Sequence, residues 1–470
     1  MKKLLKELNK RVGVDMKYFK IFIAILYVVL LITSCQQETN KPGEQLVIPP
    51  TQEGKTEMLN KLNEIISKDP NNMGAWNNKG ILLATMNRFD ESLEAFKKAV
   101  EIRPNLPMNW CNKANIESKL GKLGESIQSY NEAIKLNPNN YKAFYSRGTI
   151  LSNMGKHQEA IQSFNEAIKI YPDYDSAWSN KGIDLSAIGE YDLAMEAFDK
   201  ALSINPKFVF AYYNKGLLFT ILKKYDDALT CYYKAVEYNP KYELAWNGMG
   251  NLLSNLGRFD DALVAQEKAL AINPKSENNW NNKGVSLSSK GETEEAIKSF
   301  LKAREINPNN DRTWYNLGNT FLSMKKSKEA IEAYQKAISL NPLNDNAWNN
   351  LGTLYLAIGK NDDAMYNYKK ATELNPKNKS AWYNFAIGYF KADKYNESLK
   401  CFDKVLELKS NDAGAYYVRA CIYSLQKNKS KALLSLEKSL EIAPQYKQRA
   451  KTDKYLENIR NYGKFKKIVE

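Results

Sequence analysis

Residues 175–208 read DSAWSNKGIDLSAIGEYDLAMEAFDKALSINPKF. Two helical periodicities run through them, parted by a glycine. The first covers about Ser176–Ile188 and carries the apolar residues Trp178, Ile183 and Leu185. Gly189 ends it, because glycine readily enters the left-handed conformation that closes a helix. The second covers about Tyr191–Ile204, with Ala194, Ala197, Phe198, Ala201 and Leu202 on one face. Asn205-Pro206 stops it, since proline cannot continue a helix and disfavours helical geometry in the residue before it.

Outward from this stretch the same 34 residues recur. Pro70, Pro104, Pro138, Pro172, Pro206, Pro240, Pro274, Pro308, Pro342 and Pro376 stand 34 apart; Ser410 takes the next place and Pro444 resumes the series. An aromatic residue follows each of the places from Pro70 to Ser410 by six, from Trp76 to Tyr416. Eleven frames fit between Met73 and Tyr446. The eighth residue of every frame is Gly or Ala, and the twentieth is Ala or Ser. Small residues there let two antiparallel helices cross closely, while large residues at the fourth and twenty-fourth places fill the space beside them. One helix pair cannot bury its apolar face alone, so neighbouring pairs must stack.

The Trp, Gly, Ala, aromatic, Ala and Pro at this period resemble the tetratricopeptide repeat. The resemblance implies an all-α chain: a right-handed α-solenoid superhelix of tandem antiparallel helix pairs over residues 73–446. Gln266 departs from the pattern in place of the second-helix aromatic, as do Ser410 for proline and Val405 and Ser439 for the late alanine. Residues 56–72 read as an N-terminal capping helix and 447–470 as a polar C-terminal one, because the ends of a solenoid must be shielded.

The resemblance also places partners on the first helices, which line the concave face of such arrays. The sixth frame residue is Asn in eight of eleven frames: Asn78, Asn112, Asn180, Asn214, Asn282, Asn316, Asn350 and Asn384. A carboxamide both donates and accepts, so a ladder of them can pair with the main chain of an extended peptide whatever its side chains. The arrangement is similar to the asparagine ladder in the repeat region of O-GlcNAc transferase. The bland alternative is that Asn is common at this place or was copied by duplication; the sequence leaves both open. Neighbouring positions would tune specificity: Tyr145, Tyr213, Asn247, Tyr315 and Tyr383 one residue before the ladder, as also Asn77, Asn281 and Asn349, with Asn115, Asn251 and Asn319 three after it. Tyrosine makes contacts at low entropic cost.

The seventh frame residue departs from the leucine that the family favours. It is Lys79, Lys113, Arg147, Lys181, Lys215, Lys283 and Arg419 in seven frames. A basic stripe for acidic partners is one reading. The favoured one is structural, with the stems covering apolar surface while the charges reach water. The formal charge of the chain is +15, part of it at the two ends. No run of five or more Lys/Arg occurs, so no nucleic-acid arm is expected.

The first 35 residues read as a leader. Met16-Lys17-Tyr18-Phe19-Lys20 is a short basic start, and residues 21–32, IFIAILYVVLLI, are uninterruptedly apolar but too short to span a bilayer comfortably. Met16 would serve as a start, since residues 1–15 add nothing that such a signal needs. The ending Leu31-Ile32-Thr33-Ser34-Cys35 resembles a bacterial lipobox. The resemblance implies that Cys35 carries a lipid and anchors an exported lipoprotein of the bacterial cell envelope to its membrane. Residues 36–55, rich in Gln, Thr, Pro, Gly and Glu, read as a flexible tether.

No chemistry of catalysis is legible. His157 is the single histidine, read as a solvent-exposed turn residue, so a His-based metal site or a Ser-His-Asp centre is not expected. No phosphate-binding glycine motif occurs. Acidic pairs such as Asp226-Asp227 open second helices, where negative charge is favourable. Cys111, Cys231, Cys401 and Cys421 read as small apolar packing, with a Cys401–Cys421 disulfide as the alternative. The expectation is a membrane-anchored adaptor that binds extended segments of other proteins. It carries no catalytic residue, metal or cofactor and has no nucleic-acid partner. The alternatives are a structural envelope protein that binds cell wall polymer and a binder of glycans or small acidic ligands.

Overall fold

The computed structural model describes residues 48–470. The leader, Cys35 and the tether up to residue 47 lie outside the described residues. The chain divides into two compact units, one ending at Ile272 and the other running Asn273–Glu470. Among the described residues the first holds a single helix and six helix pairs, and the second holds five pairs and a closing segment. No strand occurs among them. The frame quoted first forms Asp175–Ile188 and Tyr191–Ile204.

Each pair is closed by the same physics. The aromatic at the twenty-fourth position lies under the glycine at the eighth: an added Cβ at Gly182 would stand 2.8 Å from the Phe198 ring, and at Gly148 2.7 Å from Phe164. Alanines at the twentieth position, such as Ala160, Ala194 and Ala330, are fully buried. Where serine stands there instead, its hydroxyl donates across the crossing to the carbonyl of the eighth residue. Ser92 reaches Gly80 at 2.7 Å, Ser126 reaches Ala114 at 2.6 Å and Ser398 reaches Ala386 at 2.8 Å. A buried hydroxyl thus keeps a partner.

The proline and tryptophan series are one device. All eight tryptophans donate their indole N–H to the carbonyl of the proline six residues earlier, at 2.7–3.0 Å. The asparagines before the prolines do more than stop a helix. The amides of Asn205, Asn341 and Asn375 donate to Asp175, Asp311 and Asp345 at 2.7–2.8 Å, tying the end of a frame to its own first residue.

Between the two helices of each pair the chain makes one left-handed residue. Six of these are glycines, Gly189 among them, but Asn87, Lys223, Lys325, Asp393 and Lys427 adopt φ of 56–60° there. A side chain in this region costs about 1 kcal/mol. Lys223→Gly and Lys325→Gly are therefore each expected to stabilise the chain by about 1 kcal/mol, read as a later urea midpoint. A midpoint that stays put or falls would show that these turns carry no strain.

The ends are shielded differently from the reading of the sequence. The N-terminal helix is Gln52–Lys68, begun by the Thr51 side chain and so reaching into the stretch read as tether. It buries Leu59, Leu62 and Ile66 against Ala75, Leu82 and Leu83. The C-terminal segment is not one helix but several pieces: Tyr446–Thr452, a 3-10 turn at Lys454–Leu456, Glu457–Arg460 and Gly463–Val469. Asp453 breaks it, accepting from the Tyr455 N–H and from the Tyr417 hydroxyl of the last repeat. Nor is it polar throughout, since Leu456, Ile459, Phe465 and Val469 are buried on that repeat. Among the described residues no helix is long and apolar enough to cross a membrane.

Candidate functional site

The asparagine ladder lies along the first helices, and its amides join successive repeats. In the first unit Asn112 donates from Nδ2 to Asn77 Oδ1 at 2.8 Å, and Asn180 donates to the Tyr145 hydroxyl at 3.1 Å. In the second unit Asn316 donates to Asn281 at 3.1 Å and Asn384 to Asn349 at 3.0 Å. Asn350 reaches Asn319 Oδ1 at 3.1 Å and the Tyr315 hydroxyl at 3.5 Å. Five of the eight thus contact the residue 35 places earlier, at the fifth position of the preceding repeat. Asn214 instead donates to the Phe210 carbonyl of its own helix at 2.7 Å. Asn78 heads the series.

Burial divides the ladder. Asn112, Asn180 and Asn214 are only 6%, 9% and 4% exposed, so they serve the stack. Asn78, Asn282, Asn316, Asn350 and Asn384 are half-buried and keep an accessible edge. The same division corrects the set of specificity residues. Tyr145 and Tyr213 are core side chains at 2% and 3% exposure. Tyr145 packs on Phe164 and Tyr174, and Tyr213 on Tyr232 and Tyr242. Each ring is enclosed between the second-helix aromatic of its own repeat and a tyrosine of the following turn. Burial raises the Tyr213 hydroxyl well above its ordinary pKa. Asn115, Asn247, Asn251, Asn319, Tyr315 and Tyr383 are half-buried. Asn115 and Asn319 accept from the hydroxyls of Tyr130 and Tyr334, the second-helix aromatics of their own repeats, the latter at 2.7 Å.

The seventh-position cations lie on aromatic rings three residues earlier. Lys79, Lys113, Lys181 and Lys283 stand 4.9–5.7 Å from the centroids of Trp76, Trp110, Trp178 and Trp280, and Arg147 stands 5.2 Å from Phe144. Lys215 pairs with Asp199 and Arg419 with Asp403, each on the second helix of the repeat before. Burial lowers the pKa of Lys79, Lys181 and Arg147. These groups are built into the repeat, as the stem-packing reading holds.

His157 is not a solvent-exposed turn residue. Its side chain is 12% exposed and its Nδ1 lies 2.5 Å from Asp184 Oδ1, which is fully buried. Ser152 donates to the same oxygen at 2.8 Å. The three side chains meet because the next repeat lays its first helix against the start of Tyr141–Asn153's partner, His157–Ile170. They do not form a nucleophile and base, since serine and histidine both address the carboxylate. The cysteines Cys111, Cys231, Cys401 and Cys421 are free and buried, so the Cys401–Cys421 disulfide does not form. Burial pushes the Cys231 and Cys401 thiols up to about 11 and about 12, far from the reactive thiolate range. Among the described residues no cluster of His, Cys, Asp and Glu could hold a metal ion.

Comparison with known families matches the tetratricopeptide repeat over residues 74–106, 141–174, 176–208, 209–242, 243–276, 312–344, 346–378, 380–412 and 413–446, and a TPR repeat model over 114–155 and 284–325. The chain belongs to the tetratricopeptide repeat family. No catalytic family is among the matches. A search of curated proteins gave no match. Among solved structures this repeat protein is similar to the APC/C hetero-tetramer Cut9-Hcn1, with 16% identity over 89% of this chain and 94% of that one and a TM-score of 0.40. It is similar to a tetratricopeptide repeat protein from Parabacteroides merdae, with 21% identity over 53% and 98% and a TM-score of 0.43. It is also similar to YrrB, described as a TPR protein with an unusual peptide-binding site, with 24% identity over 40% and 96% and a TM-score of 0.33.

Proposed function

We propose that this tetratricopeptide repeat protein is a scaffold that holds an extended segment of another protein along the first helices of its second unit. The observation that supports this is the ladder of half-buried carboxamides at Asn282, Asn316, Asn350 and Asn384. Three of them are fixed by hydrogen bonds to the preceding repeat at 3.0–3.1 Å. A fixed amide loses little rotamer freedom when a guest arrives, so its remaining hydrogen-bonding capacity goes to affinity. Main-chain N–H and C=O groups are the natural partners of such a row. Tyr315 and Tyr383, half-buried beside it, supply contact area for guest side chains.

The reading extends to location. The apolar run 21–32 and the lipobox-like Leu31–Cys35 support a lipid anchor at Cys35, with the repeats held at the surface of a bacterial envelope membrane. Loss of label from a palmitate analogue in Cys35→Ala would support it, and label that persists would reject that site.

The groove is tested with two triple variants. Asn316, Asn350 and Asn384→Ala should weaken capture of an extended peptide from a display library about tenfold or more. Asn112, Asn180 and Asn214→Ala removes as many amides from the buried part and should leave capture intact. If both lose capture equally, the amides act only through the stack and the groove reading fails.

A further inference from the structure

Ten of the eleven second helices begin with an acidic residue in their first turn, from Asp90 and Glu91 to Glu397. That is where the positive end of a helix favours negative charge. The last one, Lys429–Ile442, has none and opens Lys-Ser-Lys instead. Lys429 and Lys431 therefore stand where helix electrostatics oppose them, and Lys427 precedes them in the turn. Helix electrostatics do not account for this arrangement.

The closing segment enlarges the patch. Asn458 donates to the Ser424 carbonyl at 2.9 Å, Lys429 lies 4.5 Å over the Tyr462 ring, and Lys464 pairs with Glu437 at 2.8 Å. These contacts lay residues 457–469 against the last turn and helix, so the segment that carries Lys464, Lys466 and Lys467 packs on the one that carries Lys427, Lys429 and Lys431. All six are exposed. Residues 427–470 hold twelve Lys/Arg against five Asp/Glu, about half of the chain's net charge of +15.

We propose that this C-terminal end is a docking surface for anionic lipid headgroups. The cations of the patch are lysines, hydrated point charges that suit many mobile headgroups. A fixed carboxylate or phosphate site draws instead on the planar fork of arginine. Half-buried Tyr423 and Tyr462 lie beneath Lys431 and Lys429, as aromatic residues do at a membrane interface. The same lysines cover the ring faces on which nucleic-acid bases would stack. The inference is independent of the groove reading, because it uses none of the ladder residues.

Residues 36–470 contain every helix described and both shielded ends, so this leaderless chain serves for the test. It should sediment with vesicles of phosphatidylcholine and phosphatidylglycerol at low salt, release at high salt, and ignore phosphatidylcholine alone. Each lysine contributes about fivefold in partitioning, so K427Q/K429Q/K431Q should lose about a hundredfold. K427E/K429E/K431E should lose more, since each reversal also places a repelled charge at the surface. The reversed charges favour the helix start, so melting of the Glu variant should not fall. Equal binding to neutral vesicles, undiminished binding by either variant, or tighter binding to polyglutamate or DNA than to anionic vesicles would overturn the proposal.

Discussion

Gly318→Val is expected to destabilise the second unit by about 3 kcal/mol, and Gly318→Ala by much less. A Cβ at Gly318 would stand 2.6 Å from Cε1 and 2.7 Å from Cδ1 of Tyr334. The ring has little room to retreat, because Tyr334 is fully buried and its hydroxyl donates to Asn319 at 2.7 Å. A methyl group can nevertheless be accommodated by a small parting of the two helices. Ala114 faces Tyr130 at the corresponding place in the second repeat, and alanine also gains helix propensity over glycine. The two γ-carbons of valine need a parting too large for the neighbouring repeats to share. The measurement is the urea midpoint of both variants, with limited proteolysis to locate the opening. Because each repeat leans only on its neighbours, cleavage should begin near residues 311–340. Equal midpoints for Ala and Val would show that the crossing is looser than the packing implies.

The repeat was legible because its devices are local and return every 34 residues. Proline and glycine punctuate it, and the small eighth residue faces an aromatic sixteen residues on. What was not legible depends on the neighbouring repeat. Nothing at Asn112 says that its amide is nearly buried, because the residue that receives it, Asn77, lies 35 places back. Tyr145 and Tyr213 looked like contact residues for the same reason, since the rings that enclose them come from the following turn and helix. The place of His157 near a turn suggests exposure, whereas its partner Asp184 arrives 27 residues later. The clamp between Asn205 and Asp175 does have a signal: carboxylates stand at the first frame position wherever the pre-proline asparagine reaches back. The closing segment carries no repeat, so its break at Asp453 had no period to reveal it.

The second large effect is expected at Lys113. Glu117 lies on the same helix, Pro107–Lys119, with its side chain 1% exposed, and its Oε1 pairs with Lys113 Nζ at 2.8 Å. Ser129, from the second helix of the repeat, donates to Oε2 at 2.6 Å. A carboxylate out of water is tolerated only while it is paired, so Lys113→Met should destabilise the first unit by about 3–5 kcal/mol. The loss reflects a stranded charge more than a missing attraction. Lys113→Met combined with Glu117→Leu should therefore recover most of the stability, because well-packed apolar groups often replace a buried pair without penalty. Glu117→Leu alone should be mild, since the Lys113 ammonium, 18% exposed, can turn to water and still lie over Trp110. The four midpoints form a double-mutant cycle in which the double variant loses far less than the sum of the two single losses. Additive losses would mean that Glu117 is solvated in the folded chain. In that case the pair would be another surface ion pair, like the i,i+3 bridges on the second helices, each of which contributes little.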